Sequence, residues 1–346
     1  MSTVTPEVEQ QSSVLSEPAA EQSVGGRTAR DRPVLNFLAR YGTLVGLVLM
    51  VVYFTLAAPN VFLTRGNLTN IVNQSSLTAI IACGLTIVLV VGEFDLSIGY
   101  MASLAGVISA GLIVRQGLPV WLAFVAAVAV GLAVGLANAL LVTKAQVNAV
   151  IATLGLGTVL VGISFGYTSG TPIAQGLPNG FLDLTLGRFA GIPNPIVYMA
   201  LISAGLWVVL NRTDLGEHIQ AVGGNREAAR LSGINVDAVK TAAFLFSAGC
   251  AAVTGVLLAS LSGSGSVSAG DSYLLDSFAA VFLGSATLRD GEFHIVGTLI
   301  GVLIINTGFN GLNLLGAPTF YQYVLKGGLL VVAVALSSVA RRYART

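Results

Sequence analysis

The chain has 346 residues, of which 54% are hydrophobic and only 10% are charged, whereas soluble domains contain about 25% charged residues. A soluble fold of this length has too little interior for that much apolar surface, and the mean hydropathy is +0.83, so the composition excludes a soluble protein and predicts an integral membrane protein. The net charge of +1 provides no overall basic field, which argues against a nucleic-acid partner.

Residues 1–40 are predicted to form a disordered cytoplasmic tail, because residues 1–32 are rich in Ser, Glu, Gln, Thr and Pro. Apolar runs follow and predict an all-α, polytopic transmembrane helical bundle of about ten spans, since a spanning helix takes about 20 apolar residues. The runs lie near 41–58, 71–91, 96–114, 119–142, 147–167, 195–210, 241–261, 274–288, 295–313 and 320–338. The eighth is short and the third follows the second almost without a loop, which leaves open a broken or re-entrant element at either.

Glycine pairs at small-xxx-small spacing predict close packing between these helices. The glycines are Gly42/Gly46, Gly131/Gly135 and Gly297/Gly301, with Gly155, Gly157 and Gly162 on the fifth run.

Lys and Arg fall mainly on one side of the predicted membrane. With the N-terminus inside and ten alternating spans, thirteen lie on the inner side and three on the outer side. This is the positive-inside pattern, so both termini are predicted to be cytoplasmic, including the short tail 341–346. The inner residues are Arg27, Arg30, Arg32, Arg40, Lys144, Arg212, Arg226, Arg230, Lys240, Arg289, Arg341, Arg342 and Arg345. The outer residues are Arg65, Arg115 and Arg188, while Lys326 lies within the last span.

Polar side chains inside apolar runs are costly in a membrane, which makes them candidates for function. The second run opens with Asn73 and Gln74, and the ninth carries Asn306, Asn310 and Asn313 along one helical face. Uncharged amides donate and accept hydrogen bonds to hydroxyl groups, which suits a path for a sugar or polyol. Interhelical hydrogen bonding is the alternative role, and the sequence does not decide between the two.

The densest acidic region near the membrane is 92–99. Asp95 and Ser97 lie where the third helix should begin, so Asp95 is expected to cap that helix and to favour its positive dipole end. Both residues are also candidates for the substrate path. A proton-coupling role for Glu93 or Asp95 is the alternative.

No phosphate-binding P-loop or zinc-ligand motif occurs in the sequence. The chain is therefore predicted to have no catalytic residue, no metal site and no cofactor of its own. If ATP drives transport here, another subunit must hydrolyse it.

The longest predicted inner loop, 211–239, contains the pattern of a short helix. Asn225 can cap it, Arg226 to Ser232 can form two turns, and Gly233 can end them. Isolated helices of that length are marginal in stability, so this one is expected to need a partner.

Four runs of residues resemble the ribose-type permeases of ATP-binding-cassette (ABC) importers, and their order and spacing match across roughly residues 40–340. The cytoplasmic coupling loop of that family resembles residues 221–236, which read AVGGNREAARLSGINV. The other three runs are 95–99 (DLSIG), 297–301 (GTLIG) and 310–316 (NGLNLLG).

The resemblance implies a permease domain at 41–340 in a carbohydrate-uptake system, a transport subunit rather than an enzyme. Such permeases pair with a second copy or a homologue, bind ABC ATPase subunits that carry ATP and magnesium, and receive the sugar from an extracytoplasmic binding protein. The short loop helix would then be a coupling helix that inserts into a cleft of the ATPase. The residues expected to form this contact are Gly223, Gly224, Asn225, Glu227, Ala228, Ala229, Arg230, Ser232 and Gly233.

Two positions depart from the family pattern. The family usually has Gly-Gly-Ile-Asp before Leu-Ser, but here Glu93 and Phe94 precede Asp95. The glycine-rich turn before Gly-Thr-x-x-Gly is replaced by charged residues at 288–293. Both changes add charge at inner loops, so they are expected to affect the ATPase contact or the substrate.

Two other classes of protein compete with this interpretation. An ATP-independent secondary transporter or channel would depend on Glu93 or Asp95 as an ion site. An intramembrane enzyme would need a nucleophile or metal set that the sequence does not contain.

Overall fold

The computed structural model describes residues 33–285, 291–329 and 331, with side chains described from residue 44. The helices are α1 (Pro33–Ala57), α2 (Arg65–Val90), α3 (Ile98–Gln116), α4 (Val120–Thr143), α5 (Ala149–Thr168), α6 (Asn179–Leu186), α7 (Asn194–Arg212), α8 (Asp214–Gly224), α9 (Arg226–Leu231), α10 (Val236–Ser262), α11 (Asp271–Ser285) and α12 (Ile295–Leu314). Strands β1 (Arg188–Phe189) and β2 (Ile192–Pro193) pair antiparallel. A last helical stretch covers 320–329.

The predicted all-α membrane bundle is confirmed. Seven helices of the described residues are long and apolar enough to cross a membrane, namely α2, α3, α4, α5, α7, α10 and α12. The structure describes only part of each of the other three predicted spans: side chains from Leu44 in α1, helix α11 up to Ser285, and residues 320–329 and 331 of the last span.

Helix α1 begins inside the predicted disordered tail. Its first residue is Pro33, so residues 33–40 are helical. Proline suits the first helical position, because the N–H it lacks would have no partner there. Residues 1–32 and the predicted C-terminal tail 341–346 lie outside the described residues.

Local capping sets several helix boundaries. The Thr64 hydroxyl accepts the Asn67 backbone N–H at the start of α2, and the side chains of Asn148 and Asn235 do the same for α5 and α10. Gly117 ends α3 in the left-handed region, with φ 68°, a conformation that costs glycine little. These contacts satisfy backbone groups that the helices leave unpaired.

Helix α10 lies at the centre of the bundle and packs against α2, α3 and α4. A Cβ added to Gly131 of α4 would lie 2.5 Å from the Cβ of Ala252, and one added to Gly135 would lie 2.7 Å from the Cβ of Ala248. The small residues therefore let the two helix backbones approach closely, which confirms the packing predicted for this pair.

The other predicted glycine positions fall into two groups, those that contact a neighbouring helix and those that contact nothing. Gly297 and Gly301 of α12 contact the backbone of α11 at Gly284 and Ala280, and Gly157 contacts the Tyr100 ring. In contrast, a Cβ would meet nothing within 4 Å at the following positions: Gly46, Gly155 and Gly162. The side chain of residue 42 lies outside the described residues.

Two connections run inside the bundle rather than across its ends: the α2–α3 segment (residues 91–97) and the α10–α11 segment (residues 263–270). In the latter, Gly265 lies against Gly106, about two turns into α3. Gly270 lies against Gly99 and donates its N–H to the Ser103 hydroxyl at 2.9 Å. Non-helical backbone at membrane depth is tolerated where protein buries it. We call the α10–α11 segment together with the helix that follows it, α11, the broken element; α11 covers most of the eighth apolar run.

The bundle has two distinct ends. At one, which we call the basic end, the loops around 144–148 and 212–240 meet, and Lys144 Nζ contacts Asp237 Oδ2 at 2.8 Å. At the opposite end, Arg115 donates to the Tyr167 carbonyl at 2.6 Å. The loop sequences that are rich in Lys and Arg therefore share one end.

Candidate functional site

The predicted coupling loop folds at the basic end as two short helices, α8 and α9. The Asn225 carboxamide oxygen accepts the N–H groups of Glu227 and Ala228 at 3.1 and 3.0 Å. Gly233 follows α9 with φ 86°, and the N–H of Ile234 bonds to the Ala229 carbonyl at 3.0 Å. The predicted cap and end of the short helix are confirmed, whereas α8 goes beyond the single helix that the loop sequence predicts.

Helix α9 presents most of its surface to solvent. Leu231, an apolar residue that is not among the predicted contact residues, is 81% exposed. Ala229 is 5% exposed and faces the bundle, so it supports the helix from behind. The other expected contact residues are all exposed, namely Gly223, Gly224, Asn225, Glu227, Ala228, Arg230, Ser232 and Gly233.

Helix α8 is held directly against the ends of two membrane helices. Gly223 lies so close to the Val90 carbonyl at the end of α2 that a Cβ would overlap it. The Gln220 side chain donates to the Leu210 carbonyl of α7 at 2.8 Å. The pair α8–α9 is therefore attached to the bundle rather than hanging from a loop.

The groups that fix α9 to the interior were not among the residues predicted from the sequence. The Glu93 carboxylate is 9% exposed and contacts Arg226 at 2.7 Å and Lys240 Nζ at 2.8 Å. Arg226 also donates to the Gly92 carbonyl at 2.9 Å. The sequence does show two cations, Arg226 and Lys240, on the predicted inner loop and an additional acid, Glu93, in another inner loop. It does not show that they pair, because each cation lies more than 130 positions from Glu93.

Asp95 is fully buried in a network of uncharged groups. Its carboxylate accepts the Ser97 hydroxyl at 2.6 Å and the Ser247 hydroxyl at 2.8 Å. Asn138 donates to the Ser97 hydroxyl at 2.9 Å. The N-cap of α3 is Ser97, and Asp95 accepts the Ser97 N–H at 3.0 Å. Asp95 thus joins the start of α3 to α10.

The three candidate amides on α12 have different surroundings. Asn310 forms a reciprocal pair with Asn67 of α2, in which each amide donates to the other at 2.9 Å. Asn306 donates to the Val302 carbonyl of its own helix at 3.0 Å. Asn313 is exposed and accepts from Gln322 at 2.6 Å. Asn310 therefore forms interhelical hydrogen bonds, which is the alternative role stated for these amides.

The candidate amides on α2 are adjacent in sequence but differ in exposure. Gln74 is exposed, whereas the carboxamide oxygen of Asn73 is buried and has no hydrogen-bond partner among the described residues. The two serines that follow bond to their own helix backbone. The buried carboxamide oxygen of Asn73 can therefore accept a hydrogen bond from a substrate.

One buried ion pair joins the last helical stretch to α11. Lys326 Nζ contacts Asp276 Oδ1 at 2.7 Å, and each side chain is 12% exposed. Lys326 also lies 5.7 Å from the centre of the Phe309 ring, within the range of a cation–π contact. Within the described residues, no three His, Cys, Asp or Glu side chains lie together as a metal site requires.

Comparison with known proteins gives a consistent set of relatives. A family model described as branched-chain amino acid transport system / permease component matches residues 67–334. The ribose import permease protein of Bacillus subtilis is 41% identical over 86% of this chain and 92% of its own length. That of Escherichia coli K12 is 36% identical over 92% and 98%. The D-allose transport system permease of the same strain is 34% identical over 87% and 92%. No solved structure matches the chain.

Proposed function

The chain belongs to the family of branched-chain amino acid transport system permease components, and from this premise we propose that it is the membrane-spanning subunit of an ABC importer for a sugar or a related polyol. The protein is located in the cell membrane. ATP hydrolysis is assigned to a separate ATPase subunit, and delivery of the substrate to an extracytoplasmic binding protein. A second copy of the chain, or a homologue, completes the pore.

The observation that carries this proposal is the exposed helix α9 at the basic end. It is capped by Asn225, backed by the buried Ala229 and exposed at Leu231. A six-residue helix is too short to be stable alone, and an exposed large apolar side chain on it suits burial against a partner. An ATPase subunit that receives α9 in a cleft satisfies both conditions.

The mechanism follows from how α9 is attached. Closure of two ATPase subunits around ATP would displace α9, and α8 passes the displacement to α2 and α7 because it is held against both. A packed interface of this kind has discrete arrangements rather than a continuous range. The bundle would thereby alternate between outward-open and inward-open states.

A sugar as the cargo is inferred from the relatives and from the available side chains. The relatives described above include ribose and D-allose permeases. Asn73 and Asn306 lie on α2 and α12, which pack together, and amides suit sugar hydroxyls. We assign the substrate path to this pair of helices, with Gln74 and Asn313 at its exposed margin and Asp95 and Ser97 near the basic end.

We propose ten spans with both termini in the cytoplasm. Because α10 ends opposite the basic end and α12 begins at it, the broken element formed by the α10–α11 segment and α11 must return the chain across the membrane. Helix α1 and the stretch beginning at 320 add one crossing each to the seven that qualify by length. The basic end is then the cytoplasmic one.

The first test is uptake of labelled ribose, allose, xylose and leucine in cells that lack this gene. We expect loss of uptake of one sugar, restored by the wild-type gene but not by Gly233→Pro, because proline cannot adopt the φ of 86° found there. Loss of leucine uptake alone would show that the substrate is an amino acid and not a sugar. Uptake that persists with a hydrolysis-deficient ATPase subunit would instead favour the secondary transporter.

A further inference from the structure

In the α2–α3 segment (residues 91–97), the side chain of Glu93 contacts both α9 and α10. Arg226, the first residue of α9, and Lys240, in the first turns of α10, both contact the Glu93 carboxylate, at 2.7 and 2.8 Å. The Glu93 side chain is 9% exposed, whereas that of Arg226 is 49% exposed. A buried carboxylate that bonds to two cations at once holds a defined position, because losing either cation leaves its charge less compensated.

The same segment reaches from the basic end into the bundle. Two residues beyond Glu93, Asp95 accepts a hydrogen bond from Ser247, about three turns into α10. The next residue, Leu96, donates its N–H to the Thr153 hydroxyl of α5 at 3.0 Å. The segment therefore has one end at α9 and the other at the buried start of α3.

A second contact ties this segment to the broken element. The ring of Phe94 stacks on that of Phe278 in α11, with centroids 6.3 Å apart, and Gly99 at the start of α3 lies against Gly270. Displacement of residues 92–97 would thus move the start of α3 together with α11.

We propose that the α2–α3 segment is a lever that carries displacement of α9 to the start of α3, and that Glu93 is the positioning residue that attaches the lever to α9. This inference rests on the proposed function and extends it. Arg226 transmits the force, and Lys240 keeps the carboxylate buried and oriented.

The test uses the permease with its ATPase subunit and binding protein in liposomes, with labelled ribose as the probe. The readout is the ratio of ribose transported to ATP hydrolysed. Arg226→Gln should lower this ratio at least severalfold while ATP hydrolysis continues, because it detaches α9 and leaves the buried Glu93 paired with Lys240. Glu93→Gln should have the same effect, and gel filtration checks that each complex assembles.

The matched control is Lys144→Gln. It removes an ion pair at the same end, in which Lys144 and Asp237 are 67% and 34% exposed and neither belongs to α9. It should leave the ratio unchanged. An unchanged ratio in both Arg226→Gln and Glu93→Gln would overturn the lever.

A cross-linking experiment separates attachment from simple stability. The double variant Glu93→Cys with Arg226→Cys lacks the ion pair and should be uncoupled until a short bis-methanethiosulfonate reagent joins the two cysteines through disulfides, with methanesulfinate as the leaving group at each. Restored transport supports the lever, since segment and helix then move together. Transport that stays lost after cross-linking would contradict the lever, because the segment and α9 would then have to separate during transport. A wild-type complex that hydrolyses ATP but transports none of ribose, allose and xylose contradicts the proposed function itself. A wild-type complex that transports sugar, beside Arg226→Gln and Glu93→Gln variants with an unchanged ratio, contradicts only the lever.

Discussion

The position of Asn310 in the sequence is compatible with two roles. Its position in an apolar run predicts either a substrate contact or a bond between helices, since either use repays the cost of a polar group in lipid. Asn67 lies 243 residues away in sequence, and it forms a hydrogen bond to both polar atoms of the Asn310 amide. Sequence pattern locates such a residue but not its partner, because the partner depends on how the helices pack.

The buried pair of Asp276 and Lys326 leads to a prediction about stability. Asp276→Leu alone leaves a buried lysine without its counter-charge, and we expect it to destabilise the protein by about 3–5 kcal/mol. The double variant Asp276→Leu with Lys326→Met removes both charges and should recover most of that loss, because well-packed apolar residues replace buried ion pairs at little cost. Thermal unfolding in detergent measures both.

The exposed pair of Lys144 and Asp237 is the control for that experiment. Lys144→Gln should cost no more than about 1 kcal/mol, because water screens an exposed ion pair. A single Asp276→Leu variant as stable as the wild type would contradict the buried pair, as would a double variant less stable than the single one.

At the scale of elements, helix α9 gives the sharpest prediction. Leu231 is 81% exposed, so Leu231→Asp removes no internal contact and should leave folding and insertion unchanged. It should nevertheless abolish association with the ATPase subunit, because burial of a leucine contributes about 1.5–3 kcal/mol and a buried carboxylate opposes it. Co-purification with the ATPase subunit is the measurement.

Leu186→Asp is the matched control, since Leu186 is 61% exposed in α6 at the opposite end. It should leave ATPase association intact. Retained association in the Leu231→Asp complex would move the ATPase contact elsewhere. The buried Ala229 is a poor choice for this purpose, because a larger side chain there would distort the support of α9.

The short helix was predictable from sequence because its signals are local. Asn225 caps it and Gly233 ends it, and both act within a few residues of themselves. The inward course of the α2–α3 segment was not predictable in the same way. It depends on Glu93 and Asp95 meeting residues of α9 and α10 that are distant in sequence, and no periodicity encodes such contacts.

For the whole molecule, composition alone predicted a membrane bundle, and small residues explain how its helices approach. Gly255 of α10 lies so close to Ala102 of α3 that a Cβ would overlap its backbone. Glycines on the exposed faces of α5 make no such contact, although their spacing is similar. Spacing therefore predicts that a glycine pair permits close packing, and only the arrangement of helices shows which pairs use it.

The orientation of the bundle gives the last prediction. Because the loops at the basic end carry most of the Lys and Arg, we expect that end to face the cytoplasm. In cells that do not express the ATPase subunit, Leu231→Cys should react with a membrane-impermeant maleimide only in inside-out vesicles. Phe189→Cys, at the opposite end and 69% exposed in the native residue, should react only in intact cells. The native Cys83 and Cys250 are both buried, so the unmodified chain should stay unlabelled in either preparation and serves as the control. Labelling of both variants from one side would contradict the two-ended bundle. Labelling of each from the wrong side would keep the bundle but invert it, and an ATPase in the cytoplasm could then not reach α9.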